Sequence, residues 1–233
     1  MGISDPFEAV VWYLAFVVAV TAHEGAHALV AHLGGDSTAY AAGQVSLNPI
    51  PHMRREPFGM ILVPLITVFM RGWPIGWAST PYDPMWEQRY PRRAAWMAAA
   101  GPGANLALAL LSLLLLRAGL ESGLFFAPDR VSFSSYVGAD TQLLQNFGRF
   151  LSMLLTVDAV LFLFNLIPVP PLDGAAILGL VLPQETALRL RETLSTGPAA
   201  LFGLVVAWML FAQIGGPLFS TLVALIHGGG IYG

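Results

Sequence analysis

Long apolar runs separated by short polar stretches dominate the chain. Four of them predict membrane-spanning helices, since each has or nearly has the ~20 residues needed to cross ~30 Å of hydrocarbon. The first run extends from Phe7 to Leu33, and the second starts after Arg92-Arg93 and ends near Arg117. The third extends from Phe147 to Ile167, and the fourth from Pro198 to Ile226. A fifth run, Phe58 to Met70, would be only about 20 Å long as a helix. It predicts a re-entrant segment or a short tilted helix.

The stretches on either side of the short run have a different pattern. Tyr40 to Leu47 and Ile75 to Thr80 are rich in β-prone residues and are bounded by Gly and Pro. They predict a small β element near the membrane surface. The segment from Gly119 to Asn146 contains Ser and Gly and predicts an outer loop with a short amphipathic helix. Without a repeat or a soluble insert, residues 1–233 are interpreted as a single integral-membrane domain.

Composition supports a membrane protein. The 233 residues are 56% hydrophobic and 11% charged, whereas soluble domains carry about 25% charged residues. The sequence therefore predicts an all-α polytopic protein of the lipid bilayer. The net charge of −3 gives no sign of nucleic-acid binding. The absence of Cys excludes disulfides and thiolate metal ligands.

The Arg residues predict an orientation if the short run returns to the side from which it starts. Eight then share one side: Arg54, Arg55, Arg71, Arg89, Arg92, Arg93, Arg189 and Arg191. Three lie on the other: Arg117, Arg130 and Arg149. By the positive-inside rule the first side is cytoplasmic, so both termini face outward.

The most informative motif is His23-Glu24-Gly25-Ala26-His27, which lies inside the first span. Two His four residues apart leave the same face of a helix. They suit two ligands of one tetrahedral zinc, with Glu24 as the base for its bound water. Ionisable side chains in a span cost roughly 2.5–3.5 kcal/mol each, which favours a functional role.

Asp173 is the best candidate for a third zinc ligand. Pro168, Pro170 and Pro171 must end the third span, because proline cannot continue a helix. Unwound backbone at membrane depth survives only where it lines protein or a watery cavity. His23 lies ~20 Å into the first helix, near its cytoplasmic end, and the proline break lies at the same end of the third span. The zinc site is therefore expected toward the cytoplasmic side.

These motifs together resemble the site-2 protease family of intramembrane zinc metalloproteases. The segments that match are His23–His27, Gly101–Asn105 and Asn165–Gly174. Gly43–Pro49 and Pro74–Ala78 are similar to the compact branch of the family, which lacks a PDZ domain. The resemblance implies one zinc ion and cleavage of a peptide bond in or near the transmembrane segment of a membrane-protein substrate. It also implies that Asn165 and Asn105 position substrate or the tetrahedral intermediate.

The segment Ile75, Gly76, Trp77, Ala78 and Ser79 is predicted to bind substrate. An intramembrane protease must unwind its substrate, and an exposed strand edge can satisfy the freed backbone groups.

Other polar residues have simpler interpretations. Asp158 is predicted to be buried and hydrogen-bonded rather than directly catalytic, and His52 to be a surface-loop residue rather than a gate to the site. Asn105 can be an interhelical hydrogen bond beside glycines that permit close packing. Asn165 can satisfy the backbone broken at Pro168. His227 is predicted to face solvent or to be unordered.

Two other functions compete with an intramembrane protease. One is a proteolytically silent family member that binds metal or a partner, but Glu24 argues against it because a pure binder needs no base. The other is a metal-ion transporter, which should show polar residues along several spans. Apart from Asp158, the polar groups here cluster at one level.

Overall fold

The computed structural model describes residues 5–183, 185–187 and 198–228. Its helices are, in chain order, α1 (Pro6–Leu33), α2 (Thr38–Ala41), α3 (Pro49–Arg55), α4 (Val63–Arg71), α5 (Pro84–Arg89), α6 (Pro91–Glu121), α7 (Gln142–Asn165), α8 (Asp173–Ile177) and α9 (Pro198–His227). A π-helical turn, Phe58–Leu62, leads into α4, and a 3₁₀ turn, Leu178–Leu180, follows α8.

Four of these helices, α1, α6, α7 and α9, are long and apolar enough to cross a membrane. The prediction of an all-α polytopic membrane protein with four full spans is confirmed. The most apolar window of α1 is 67% buried, against 17% for α9. α1 packs against both α6 and α7. It is therefore the central helix, and a motif on its buried face is enclosed by its neighbours.

Helix boundaries follow local chemistry. α1 starts at Pro6, and the side chain of Asp5 accepts a hydrogen bond from the Phe7 N–H at 2.9 Å, as expected of a helix cap. α7 starts after Thr141, whose hydroxyl accepts from the Leu144 N–H. It ends at Asn165, three residues before Pro168. The predicted proline break is therefore present, and it frees the chain to turn back toward α1.

The fifth run is confirmed as a short helix. It extends from Phe58 to Arg71 as the π-helical turn followed by α4, and it ends at Gly72, whose φ of +78° favours glycine. Its 14 residues are too few for an ordinary span.

The prediction of a small β element is wrong, since the described residues contain no sheet. The first piece, Tyr40–Leu47, begins inside helix α2. The second, Ile75–Thr80, forms neither helix nor strand, and it docks on the short helix instead of pairing with a strand. The Ile75 N–H binds the hydroxyl of Thr67 at 2.8 Å, and the Trp77 N–H binds the Gly59 carbonyl at 3.2 Å. These contacts satisfy the N–H groups of Ile75 and Trp77, which a neighbouring strand would otherwise bind.

The predicted amphipathic helix in the outer loop is also absent from the described residues. Between α6 and α7 the chain makes two isolated antiparallel bridges, Phe126–Gly138 and Ser132–Ser135. Tyr136 is fully buried there, in a cluster with residues of α6, α7 and α9. His227 Nε2 lies 2.9 Å from the Tyr136 carbonyl oxygen. Since a carbonyl only accepts, Nε2 is the donor, and His227 is a fold contact rather than a free tail residue.

The loop after α1 binds the chain just beyond the Ile75–Thr80 segment. Asp36 is buried, and its carboxylate accepts from the Thr38 N–H, the Thr38 hydroxyl and the Asp83 N–H at 2.6–2.9 Å. Burial alone would raise the pKa of Asp36, but these hydrogen bonds outweigh it and leave the pKa below its ordinary value. Asp36 thereby ties the chain just beyond Thr80 to the end of α1.

Candidate metal centre

His23 and His27 share the buried face of α1, as their spacing predicts. The side chains are almost fully enclosed, and their Nε2 atoms are only 2.9 Å apart. Gly101 of α6 lies directly against the Nε2 atoms of both rings. The site is therefore formed where α1 packs against α6.

The hydrogen bonds behind the rings fix which nitrogen of each His carries a proton. His27 Nδ1 lies 2.7 Å from the carbonyl oxygen of Met97. A carbonyl can only accept, so Nδ1 is the donor and Nε2 of the neutral ring has a free lone pair. Ring orientation by a backbone carbonyl is typical of His that ligate metals.

A chain of two hydrogen bonds orients His23, which contacts Asn105, and Asn105 in turn contacts Asp158. His23 Nδ1 lies 2.6 Å from Asn105 Oδ1, and Asn105 Nδ2 donates to Asp158 Oδ1 at 2.7 Å and to the Ala19 carbonyl at 3.2 Å. Because the Ala19 carbonyl can only accept, the group of Asn105 that faces it is the NH₂, and the amide orientation of Asn105 is determined. Its oxygen then faces His23, so His23 Nδ1 donates, and Nε2 of the neutral ring has a free lone pair. Asp158 is fully buried and hydrogen-bonded, as predicted.

Asp173 completes the cluster from the other side of the proline break. It is the first residue of α8. Its Oδ2 lies 3.1 Å from His23 Nε2, and its Oδ1 lies 3.4 Å from His27 Nε2. Among the described residues no donor reaches Oδ2, although this oxygen is buried. With neutral rings, His23 and His27 would direct two imidazole lone pairs toward the Asp173 carboxylate, and a cation bound between these three groups would stabilise them.

The donor set and the space both fit zinc. Two imidazole nitrogens and one carboxylate are the ligands of many catalytic zinc sites. Ligands of one tetrahedral zinc lie roughly 3.3 Å apart, and the separations here are 2.9–3.4 Å. A Cβ on Gly101 would contact His27 Nε2 and lie 2.6 Å from His23 Nε2. Gly101 thus leaves an open cradle where the three ligand atoms meet.

Glu24 lies beside this cluster and is 5% exposed. Its Oε2 accepts a hydrogen bond from the Thr80 hydroxyl at 2.7 Å. Thr80 is a candidate functional residue that the sequence did not single out. It follows the predicted substrate segment directly, but its contact with Glu24 joins positions 56 apart, and no local pattern indicates such a pair.

Asn105 and Asn165 are not brought together by the structure. Asn105 is fully buried and its amide is occupied by His23, Asp158 and Ala19. Asn165 ends α7 half-buried, and its Nδ2 donates to the Leu161 carbonyl one turn earlier at 3.0 Å.

The prediction of His52 as a surface residue is wrong. It is 1% exposed, and its Nε2 donates to the Ser46 carbonyl at 3.1 Å. The same carbonyl lies 3.0 Å from where a Cβ of Gly25 would be. The loop carrying Ser46 therefore lies directly on α1, and burying this loop also buries the His52 ring.

The fold and the site together define a polytopic helical membrane protein with a candidate metal centre of two buried His and one Asp, and with a carboxylate beside it in sequence. Over residues 11–210 the chain matches the model of Peptidase family M50, and it belongs to that family of site-2 proteases. The described residues contain no sheet from which a PDZ domain could be built, in agreement with the compact branch.

The chain is similar to proteins named as zinc metalloproteases. It is 33% identical to "Putative zinc metalloprotease YwhC" of Bacillus subtilis over 199 residues, which cover 85% of this chain and 78% of that protein. It is 31% identical over 197 residues to "Putative zinc metalloprotease Rip2" of Mycobacterium tuberculosis, and 28% over 195 residues to the protein of that name from Mycolicibacterium smegmatis. It spans 64% of the length of either mycobacterial relative. No solved structure matches the chain.

Proposed function

We propose that the chain is an intramembrane zinc endopeptidase that cleaves membrane-protein substrates in or near their transmembrane segments. One observation carries the proposal: buried Glu24 directly follows His23 in α1, beside three converging ligand atoms, in a bundle of helices long and apolar enough to cross a membrane. A site that only binds metal needs His23, His27 and Asp173 but no neighbouring base.

Each residue of the site has a role in this reaction. A zinc ion held by His23, His27 and Asp173 would polarise the scissile carbonyl and acidify a water molecule. Glu24 takes the proton of the attacking water and returns it to the leaving amine. Asn105 holds His23 in the ligating tautomer. Asn165 is proposed to contact the substrate or the tetrahedral intermediate through the part of its amide that Leu161 does not engage.

The test of this function is zinc-dependent cleavage. Purified protein in lipid vesicles should cut a co-reconstituted single-span substrate, should lose that activity when a chelator removes zinc, and should regain it when zinc is restored. Metal binding without cleavage of a panel of single-span substrates would favour the alternative, a proteolytically silent member of the family.

We also propose that residues Ile75–Ser79, the substrate arm, pair with an unwound substrate. In an extended chain successive N–H groups point to opposite sides. Those of Ile75 and Trp77 bind Thr67 and Gly59. Those of Gly76 and Ala78 meet no acceptor among the described residues, so this edge is available to a substrate backbone.

Ala78→Pro should reduce cleavage and leave zinc bound. It removes an edge N–H without breaking a bond within the protein, and proline permits the extended conformation of the preceding residue. Trp77→Pro is less informative because the Trp77 N–H already binds the Gly59 carbonyl. Ala78→Val keeps the N–H and serves as the matched control. Cleavage by Ala78→Pro at the rate of the valine variant would place substrate recognition elsewhere.

The active site is proposed to face the cytoplasm, on the basis of the Arg distribution. Arg93 at the start of α6 donates to the Gly34 carbonyl at the end of α1, so both helix ends share one side. Arg117, near the opposite end of α6, donates to the Leu225 carbonyl near the end of α9. Arg189 and Arg191 lie outside the described residues.

Cysteine labelling can test this orientation without interference, since the chain has no native Cys. An impermeant thiol reagent should label Arg54→Cys only from the cytoplasmic side and Ser132→Cys only from the other side. Both positions are exposed to solvent in the fold. The reverse labelling pattern would invert the proposed topology.

A further inference from the structure

We infer that Thr80 is a positioning residue that holds the carboxylate of Glu24 in its working orientation and couples the general base to the substrate arm. The inference rests on the proposed peptidase activity. It concerns a contact that the sequence motifs do not include.

The shorter of the two contacts between Thr80 and Glu24 is to the carboxylate. Thr80 Oγ1 lies 2.7 Å from Glu24 Oε2 and 3.0 Å from the Glu24 carbonyl oxygen. Among the described residues, no other side chain makes a hydrogen bond to the Glu24 carboxylate. Glutamate has three rotatable side-chain bonds, and a single hydrogen bond to one of its oxygens removes much of that freedom. Thr80 therefore selects the orientation that Glu24 takes beside the ligand cluster.

The position of Thr80 is in turn fixed by the substrate arm. Ile75 and Trp77 anchor the arm to the short helix through Thr67 and Gly59. The Ser79 hydroxyl donates to Glu56 Oε1 at 2.5 Å. Beyond Thr80, the Asp83 N–H is held by Asp36. Thr80 is thus held on both sides by contacts that do not involve Glu24, and its hydroxyl contacts α1 at Glu24.

This arrangement links substrate capture to catalysis. The free N–H groups of Gly76 and Ala78 lie four and two residues before Thr80, respectively, in a segment that is neither helix nor strand. A substrate paired along that edge would hold the arm, and the arm would hold Glu24. Misplacing a catalytic group by about 1 Å can cost on the order of 100-fold in rate. Loss of the hydroxyl should therefore reduce turnover without reducing substrate binding.

A purely structural role for Thr80 predicts a different result. If the hydroxyl only fastened the arm to α1 through the Glu24 carbonyl, its removal would loosen the arm and weaken substrate binding. The effect would then be on KM. The positioning role predicts an effect on kcat, because the arm keeps its other anchors while Glu24 loses its partner.

Thr80→Val and Thr80→Ser separate the two roles. Valine has nearly the shape of threonine without the hydroxyl, and serine keeps the hydroxyl. For Thr80→Val we expect kcat to fall about 10- to 100-fold, with zinc content and KM unchanged. Thr80→Ser should recover most of the wild-type kcat. As a direct measure of capture, Glu24→Gln and Glu24→Gln/Thr80→Val proteins should crosslink equal amounts of uncleaved substrate.

The outcomes distinguish this inference from the function on which it rests. Absence of zinc-dependent cleavage by the wild-type protein would remove the proposed function itself. If the wild type cleaves, a wild-type kcat in Thr80→Val would overturn the positioning role. A rise in KM, a loss of zinc, or failure of Thr80→Ser to restore kcat would also overturn it in favour of a structural anchor.

Discussion

Glu24→Gln protein should fold, bind zinc and lose nearly all peptide cleavage. Glutamine has almost the size of glutamate and can still accept the Thr80 hydroxyl hydrogen bond seen at Oε2, but it cannot accept a proton from water. Positioned general-base catalysis contributes about 10²–10⁴-fold, so the rate of cleavage should fall by that order. Glu24 follows His23 directly in the helix and so points away from the His23–His27 line, which suits a base better than a fourth ligand.

The measurement is a side-by-side assay of wild-type and Glu24→Gln protein in vesicles, with zinc content determined for each preparation. Because binding is undamaged, the variant should also retain uncleaved substrate that copurifies with it. Cleavage at the wild-type rate by a folded, zinc-loaded Glu24→Gln protein would refute the metalloprotease mechanism.

Much of the metal centre could be predicted because its signals are local. The four-residue spacing of His23 and His27 is a property of one helix. The proline cluster before Asp173 marks a chain break at a depth that can be counted from span lengths. The spans themselves follow from composition, and the structure moves their ends by only a few residues.

The contacts that orient the ligands could not be predicted because they join distant elements. His23 and Asn105, which form one of these contacts, are 82 residues apart in sequence. His27 contacts the backbone carbonyl of Met97, and since every residue has such a carbonyl, the sequence cannot indicate this contact. Asn105 matched the family pattern, but only the structure places its amide against His23 and Asp158. A role in tautomer selection depends on that placement.

The wrong predictions for Ile75–Thr80 and for His52 both concern segments that pack onto a helix. β-propensity records how well a side chain fits a pleated, half-buried surface, and Ile75–Thr80 meets that condition by docking on a helix. Gly59 and Gly76 make the approach close: a Cβ on Gly76 would contact the Gly59 carbonyl and lie 2.5 Å from Phe16. His52 was expected at the surface because it lies in a polar loop, yet that loop packs onto α1 at Gly25.

Gly101→Ala should abolish zinc binding although it removes no ligand. An alanine methyl group at this position would contact His27 Nε2 and lie 2.5 Å from His27 Cε1 and 2.6 Å from His23 Nε2. Carbon and nitrogen atoms that are not bonded do not approach so closely, and a close-packed interior has little room to relax. The methyl group would fill the space on which His23, His27 and Asp173 converge. Zinc content should therefore fall to the level of Asp173→Ala, which lacks the carboxylate ligand.

Gly103→Ala is the matched control, because it makes the same substitution two residues along α6, where a Cβ would meet no atom within 4 Å beyond its chain neighbours and the adjacent backbone of its own helix. Both variants replace glycine by alanine, which is more favourable in a soluble helix by about 1 kcal/mol. An effect of helix propensity on the stability of α6 would therefore appear in both variants. We expect stoichiometric zinc in Gly103→Ala and a far lower content in Gly101→Ala, each measured on protein with a normal elution profile. Full zinc occupancy in Gly101→Ala would show that the metal lies away from the space between the two His rings. The ligand set would then have to be reassigned.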